Sequence, residues 1–369
     1  MARKFIVSGG GTSGHINPAI TIADSLKAYY ESKCEEVEIV FTGREQGLEG
    51  ELVPKAGYKL INVQAKPFPM RIGLEMHNAI KALRIGNKQC SELISEFKPD
   101  AVIGTGGYVC APLLMQARRM KVPTILHESN AFPGRANKLL ARGCNLVLTG
   151  FPNQEKIFKR AKRVVFTGNP IRKSMIGNFY DKARNNLGIT PDEKLVFAMG
   201  GSLGAKSIND FIISAASMDE FKNVKFVLAT GKQQTKKLAS DLKIPDNLQL
   251  IEYIDNPQDY LCGADVCITR AGAVTCAEVA ACGSCSVLVP YPHAAHDHQT
   301  FNARAFSDIG GAVMISDDEL VEGRLVPILK DLLTNKKRRE LMRDSATKLA
   351  VYDCSYRIVK SINETVFGE

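Results

Sequence analysis

Short runs of β-branched and aliphatic residues alternate along this chain with longer stretches whose apolar positions recur every three or four residues. The runs predict buried strands and the stretches amphipathic helices. In the first half, strands are expected at 5–8, 37–41, 101–103, 124–127, 146–149 and 164–167. In the second they are expected at 195–199, 225–229, 248–252, 266–269, 286–289 and 312–315. After Gly14, the residues Ile16, Ala19, Ile20, Ala23, Leu26 and Tyr30 keep a helical period, and Pro18 is expected in the first turn, where its missing N–H is harmless. Strand and helix in alternation predict βαβ units, an α/β fold with parallel sheets covered by helices.

Both halves open alike: KFIVSGGGTSGH at 4–15 and KLVFAMGGSLGAK at 194–206 each read as strand, glycine loop and helix start. A length of 369 residues exceeds what one core usually spans, so two domains are expected. The boundary falls near Gly168-Asn169-Pro170, where Asn-Pro after a strand ends local structure. This gives a domain at 1–168 and another at 169–354. The last helical pattern, within 355–369 and carrying Ile358, Val359, Ile362 and Val366, is a candidate to cross back onto the first.

Apolar residues make up 45% of the chain and charged residues 24%, enough buried surface to exclude disorder. The net charge of +9 is asymmetric: residues 1–170 carry 24 basic and 14 acidic side chains, residues 171–369 carry 24 and 25. One half therefore calls for an anionic partner: nucleic acid, a membrane surface or a phosphorylated substrate. Ten cysteines lie mostly in apolar runs, and Cys282 and Cys285 form a CxxC without a second pair, which favours reduced, buried thiols and a cytosolic setting. Met1 runs directly into a strand pattern, so no leader is expected, and no run reaches the ~18 apolar residues of a membrane span. Membrane contact would be peripheral.

A glycine loop between strand and helix lets backbone N–H groups approach a phosphate, with the helix dipole favouring its charge. Two such loops suggest two phosphorylated ligands. The first, GGGTSG, does not fit GxGxxG, and Thr42-Gly43-Arg44 stands where a dinucleotide site would place an acidic ribose ligand. GxxxxGK[ST] is absent, so a P-loop is excluded. His15 follows the first loop; a helix N-terminus keeps imidazole neutral, as a general base acting on a hydroxyl requires. The same place suits a histidine that only hydrogen-bonds the loop. In the segment from Arg270 to Glu278, small residues admit a ligand to the backbone and Glu278 can accept from a ribose diol, or can simply stabilise the helix N-terminus.

Polar clusters at strand ends add His127-Glu128-Ser129-Asn130 and, at the domain crossing, Arg172, a cation for a diphosphate or a solvated linker arginine. The run HAAHDHQ at 293–299 resembles a zinc cluster but lacks a nearby cysteine, so Gln299 reaching a sugar is the better reading. Between Lys66 and Lys88, Ile72, Met76, Ile80 and Leu83 share a helical face beside Arg71, Lys81 and Arg84. That pattern suits an interfacial helix on anionic lipid, or an ordinary core-facing helix with a basic flank.

Taken in order, GGGTSGH (9–15), GTGGY (104–108), HESN (127–130), GNPIR (168–172), GGSLGA (200–205), RAGAVTCAE (270–278) and HQTFNA (298–303) resemble the MurG-type N-acetylglucosaminyltransferases of bacterial cell-wall synthesis over nearly the full length. The resemblance implies a GT-B fold, two Rossmann-like domains with parallel sheets facing a central cleft. The first domain would take a lipid-linked acceptor and the second UDP-N-acetylglucosamine. The family moves GlcNAc to the C4 hydroxyl of MurNAc in undecaprenyl-diphosphate-MurNAc-pentapeptide (lipid I). The product is lipid II of peptidoglycan, formed with inversion at the anomeric carbon; UDP-GlcNAc is a substrate and no cofactor or metal is implied.

Carried over by residue, the resemblance places Thr12, Ser13 and Gly14 near the donor and Asn130 on the sugar. It puts Arg172 and Ser202 on the diphosphate, Ile254 on the uracil through its backbone, and Ala273, Val274, Thr275, Cys276 and Ala277 on the nucleotide. Glu278 falls on the ribose, Gln299 on the GlcNAc hydroxyls, and His15 becomes the favoured base. It also implies a peripheral place on the cytoplasmic face of the membrane. Ser13 stands where the family often has Gly or Ala, and Ala277 where Ser is common. Competing readings are a two-domain oxidoreductase, a silent nucleotide-sugar sensor and a UDP-GlcNAc 2-epimerase on the same fold. Nucleic acid is disfavoured, since no recognition motif or aromatic platform accompanies the basic half and Trp is absent.

Overall fold

The computed structural model describes residues 2–69, 73–177, 179–201, 204–231, 235, 238, 243–254 and 257–369. The chain divides into two units, Met1–Ile171 with Asp353–Glu369, and Arg172–Tyr352. Each is a parallel sheet covered by helices on both faces.

The first unit contains β1 (Arg3–Ser8), β2 (Val37–Gly43), β3 (Lys59–Asn62), β4 (Ala101–Gly104), β5 (Thr124–Glu128), β6 (Leu146–Thr149) and β7 (Val164–Phe166), in the spatial order β3-β2-β1-β4-β5-β6-β7. Strand alternation splits the central β1 between two cores. Phe5 and Val7 face one side with Ile16, Ile22, Leu26 and Tyr30 of the helix Ser13–Ser32, while Ile6 faces the other with Cys90, Leu113 and Phe158. The C-terminal helix Cys354–Val366 joins the first of these cores through Ile358, Val359 and Ile362, and the Tyr30 hydroxyl donates to Asn363 Oδ1 at 2.6 Å.

The second unit repeats the order: β8 (Lys194–Met199), β9 (Val224–Ala229), β10 (Leu248–Ile251), β11 (Val266–Arg270), β12 (Ser286–Val289) and β13 (Ala312–Met314) run β10-β9-β8-β11-β12-β13. Asp265, just before β11, is buried at 1% exposure, and it pairs with Arg184, Lys194 and Arg339 and accepts from Leu195 N–H at 3.0 Å. A carboxylate buried so deeply is tolerable only with such partners, and here they pin the entry of β8 to that of β11.

In both sheets the chain reverses direction of winding beside the first strand, between β1 and β4 and between β8 and β11. Such switch points open crevices at the carboxyl ends of the strands, where this architecture holds ligands. Two sequence expectations need correction. Strand β3 was missed because its four residues, Lys59 to Asn62, form an exposed-to-half-buried edge with only two apolar side chains. Pro18 lies in the second turn, since the helix begins at Ser13, and so removes the ladder bond to the carbonyl of Gly14. Nine of the ten cysteines are buried and Cys34 is exposed; all are free thiols. Among the described residues, no helix is long and apolar enough to cross a membrane.

Candidate active site

At the switch point of the first unit, β1 ends at Ser8 and the glycine loop turns into the helix Ser13–Ser32, with Thr12 as an extended N-cap residue. Ser13 and Gly14 form its first turn, and Thr12 O accepts from the N–H groups of His15 and Ile16 at 3.1 and 3.2 Å. Beyond β4, Thr105 locks the two loops together: its N–H donates to Ser8 O at 2.9 Å and its hydroxyl to His15 O at 2.7 Å. The half-buried His15 ring lies against the same residue, with Nδ1 at 3.1 Å from Thr105 O. A carbonyl only accepts, so Nδ1 carries a proton in this contact, and the neutral form of the ring has its lone pair on Nε2.

Gly106 makes that arrangement possible. Its φ is +114°, and a Cβ there would sit 2.6 Å from His15 Nδ1 and 2.8 Å from Cε1. Only glycine adopts this backbone while leaving room for the ring. Gly106→Ala is therefore expected to displace the imidazole and lower turnover by at least about tenfold, with donor affinity kept; steady-state kinetics on the folded variant would check it.

The polar cluster after β5 centres on a residue absent from the expected ligand set. Glu128, 1% exposed, accepts from Asn130 N–H at 2.9 Å, from Asn130 Nδ2 at 3.1 Å and from Asn137 Nδ2 at 2.8 Å. Burial raises its carboxyl pKa, while these amide donors pull it back. Glu128 thereby sets the amide orientation of both asparagines. Asn137 also lies beside Gly106, and its buried Oδ1 has no partner among the described residues. Neither Glu128 nor Asn137 could be singled out by spacing, because their meeting depends on how the helix Arg135–Leu140 returns over β5.

His127 next door is fully buried, and burial depresses its pKa from 6.5 to about 4. An unfolded chain then binds more protons than the folded one between those values, so His127 contributes stability above pH 6.5 that is lost as pH falls toward 4. The shift corresponds to about 3 kcal/mol. Urea midpoints measured across that window should show a steeper acid loss in the wild type than in His127→Gln.

In the second unit, β8 leads into the loop at 200–205, and Ser202 lies outside the described residues. Beyond β11, the helix Ala273–Ala281 starts from Gly272. Ala273 and Cys276 turn their side chains into the core, and burial pushes the Cys276 thiol up to about 12. Ligand contact by this pair is thus restricted to the backbone, whereas Val274, Thr275 and Ala277 are half-buried. Ile254 is half-buried in the segment after β10.

Glu278 and Arg172, assigned by resemblance to different parts of a ligand, contact each other. Arg172 Nε and Nη2 donate to Glu278 Oε1 at 3.2 and 2.9 Å. Burial raises the Glu278 carboxyl above the ordinary range, and the guanidinium lowers it. Because both bonds reach Oε1, Oε2 retains acceptor capacity. Gln299, on the helix His298–Ser307, accepts from Tyr291 N–H through Oε1 at 2.9 Å and so has Nε2 to donate. Arg270 braces the same region, donating to Val289 O at 3.3 Å and Pro290 O at 3.2 Å and pairing with Asp317. Among the described residues no group of three or more His, Cys, Asp and Glu gathers to hold a metal.

Residues 5–149 match the Glycosyltransferase family 28 N-terminal domain and residues 195–358 the family's C-terminal domain. A transferase of Ruminiclostridium cellulolyticum is 39% identical over 98% of this chain and all of its own length, and one of Thermoanaerobacter sp. (strain X514) is 38% identical over 97% of this chain and all of its own. Both are named UDP-N-acetylglucosamine--N-acetylmuramyl-(pentapeptide) pyrophosphoryl-undecaprenol N-acetylglucosamine transferase. The chain belongs to the MurG-type transferases of glycosyltransferase family 28. The crystal structure of Acinetobacter baumannii MurG agrees, with a TM-score of 0.76 at 26% identity over 98% of this chain and 99% of that one. The two parallel-sheet units are those of a GT-B glycosyltransferase. A histidine stands at the switch point of the first unit and a carboxylate-bearing helix at that of the second.

Proposed function

We propose that this enzyme transfers GlcNAc from UDP-GlcNAc to the C4 hydroxyl of MurNAc in undecaprenyl-diphosphate-MurNAc-pentapeptide, forming lipid II for peptidoglycan synthesis. The full-length likeness to transferases named for these substrates carries the reading. The same likeness disfavours the epimerase, the oxidoreductase and the silent sensor.

In the proposed reaction His15 Nε2 takes the proton of the acceptor hydroxyl as its oxygen bonds to the donor's anomeric carbon. The bond from that carbon to the diphosphate breaks, and UDP leaves with the electron pair. One displacement inverts the centre and needs no protein nucleophile. Thr12, Ser13 and Gly14 line the approach to the donor sugar, and Asn130, oriented by Glu128, and Gln299 Nε2 hold its hydroxyls. Glu278 holds the ribose, Ile254 the uracil, and the backbone of 273–277 the nucleotide. Charge growing on UDP is met by the helix N-terminus at Ala273, by Ser202 and by Arg172. These groups replace a metal, so transfer should persist in EDTA.

The membrane reading supplies the acceptor's location: the enzyme works peripherally at an anionic, cytoplasmic surface. On the helix Leu74–Phe97 the core-facing stripe is Ala79, Ala82, Gly86, Cys90 and Ile94, while Leu74 is 77% exposed and Ile80 and Ile85 are also exposed. Met70, Arg71 and Ile72 lie outside the described residues. Apolar side chains facing away from the core, with Lys81 and Arg84 among them, suit an interface. Incubation of the purified chain with labelled UDP-GlcNAc and a lipid I analogue tests the proposal. Labelled disaccharide supports it, and epimerised UDP-sugar without transfer overturns it.

A further inference from the structure

Arg44 directly follows β2 at the carboxyl edge of the first sheet, and none of the contacts above uses it. It is tied to a carboxylate that no sequence pattern singled out. Glu49, on the helix Leu48–Lys55, is 0% exposed; it accepts from Arg44 N–H at 3.2 Å and from Gly11 N–H at 3.4 Å, and its Oε1 lies 3.5 Å from Arg44 Nε. Three glycines make its socket. A Cβ at Gly43 would sit 2.7 Å from Glu49 Cγ, one at Gly47 2.6 Å from Cδ and one at Gly10 3.0 Å from Oε1. A carboxylate is buried this fully only where its partners are fixed, so Glu49 holds both Arg44 and one point of the glycine loop. The N–H of Gly11, expected to be open to a phosphate, already serves a carboxylate of the protein itself.

The other end of Arg44 is open. Its side chain is 35% exposed, and among the described residues Nη1 and Nη2 have no hydrogen-bonding partner. The guanidinium carbon stands 5.5 Å from the centroid of the Tyr108 ring, which itself lies against Gly11. A guanidinium braced at Nε and flanked by a ring presents its far edge as a fixed planar fork, the shape that pairs bidentately with a carboxylate. With Glu49 balancing its charge, it is poorly suited to the two charges of a diphosphate.

Placement in the sheet points the same way. The helix bearing Glu49 packs through Val53 into the core of Phe5 and Val7, whereas the helix Leu74–Phe97 packs through Cys90 and Ile94 into the core of Ile6, on the opposite face. The membrane reading puts the lipid, and the diphosphate that joins it to the sugar, on the second of these faces. The part of the acceptor free to reach Arg44 is the stem peptide, which MurNAc carries on the lactyl group at C3, beside the reacting C4 oxygen. We propose that Arg44, positioned by Glu49, binds a carboxylate of the acceptor's stem peptide and makes the first unit selective for an anionic peptide. This rests on the transferase reading above and adds which part of the acceptor the first unit reads.

The test is steady-state transfer by the full chain at saturating UDP-GlcNAc with two lipid I analogues, one with free stem-peptide carboxylates and one with all of them converted to primary amides. Amidation should raise the wild-type acceptor KM about tenfold with kcat kept. Arg44→Gln should raise the KM for the free-carboxylate analogue to that same level and lose all sensitivity to amidation. Arg44→Lys, which keeps the charge but not the fork, should recover part of that sensitivity, and the KM for UDP-GlcNAc should be unchanged in both variants. An equal rise for both analogues in Arg44→Gln would put Arg44 on a group other than the peptide, and an unchanged KM would leave it a brace for the loop; either overturns the proposal. So does wild-type transfer indifferent to amidation. Wild-type protein that transfers to neither analogue would instead overturn the transferase reading, and this inference with it.

Discussion

Replacing His15 with alanine should lower kcat by about two to four orders of magnitude, with the KM for UDP-GlcNAc nearly unchanged, the range set by loss of a positioned general base. The expectation comes from the ring's setting. Thr105 O holds Nδ1 at 3.1 Å, so Nε2 is the lone-pair nitrogen, and Gly106 leaves the ring its space. Donor contacts are assigned to other residues, which is why affinity and turnover should separate. His15→Gln is informative beside it, since an amide can hydrogen-bond a hydroxyl without accepting its proton at neutral pH. If His15→Ala turns over at the wild-type rate, the base assignment is lost.

Glu278→Ala should act on the other axis. A charged acceptor serving a ribose diol accounts for ~1.5–3 kcal/mol per hydrogen bond, so kcat/KM for the donor should fall at least about a hundredfold, and calorimetric UDP affinity should fall with it. Arg172 gives this prediction a sharper companion. The guanidinium opposes the burial that raises the Glu278 carboxyl, so Arg172→Gln should push that carboxyl higher still. The ionised fraction then grows with pH, so the variant's donor KM should fall as pH rises, more steeply than that of the wild type. A pH-independent variant would show that Arg172 acts only on the diphosphate.

Local pattern was enough to place every strand but β3, because parallel strands buried on both faces read as near-continuous aliphatic runs. Residues 5–8 and 195–199 are of that kind, each followed by glycine. β3 was not legible: Leu60 and Ile61 between Lys59 and Asn62 satisfy no period, and only pairing with β2 makes them a strand. Pro18 was misplaced by one turn because helix onset was read from Gly14, whereas the extended Thr12 starts the helix at Ser13.

The candidate site divides in the same way. His15 and Glu278 fall on helices that follow recognisable strands, and Gln299 closes a polar run, so local pattern suggested them. The Arg172–Glu278 bond spans 106 residues and the His15–Thr105 bond 90. Contacts of that kind arise from crossover connections and have no local signature. Glu128 is the most instructive case: HESN marks a polar cluster at a strand end, but only the fold buries the glutamate between two asparagines.

The most direct measurement of the central claim is transfer itself: purified chain, UDP-GlcNAc labelled in the sugar, a lipid I analogue, and EDTA in the buffer. The account predicts a labelled lipid-linked disaccharide with a β-glycosidic bond to the MurNAc C4 oxygen, formed at the same rate with and without the chelator. An α-linked product, loss of transfer on chelation, or UDP-sugar epimerised with no disaccharide would contradict it.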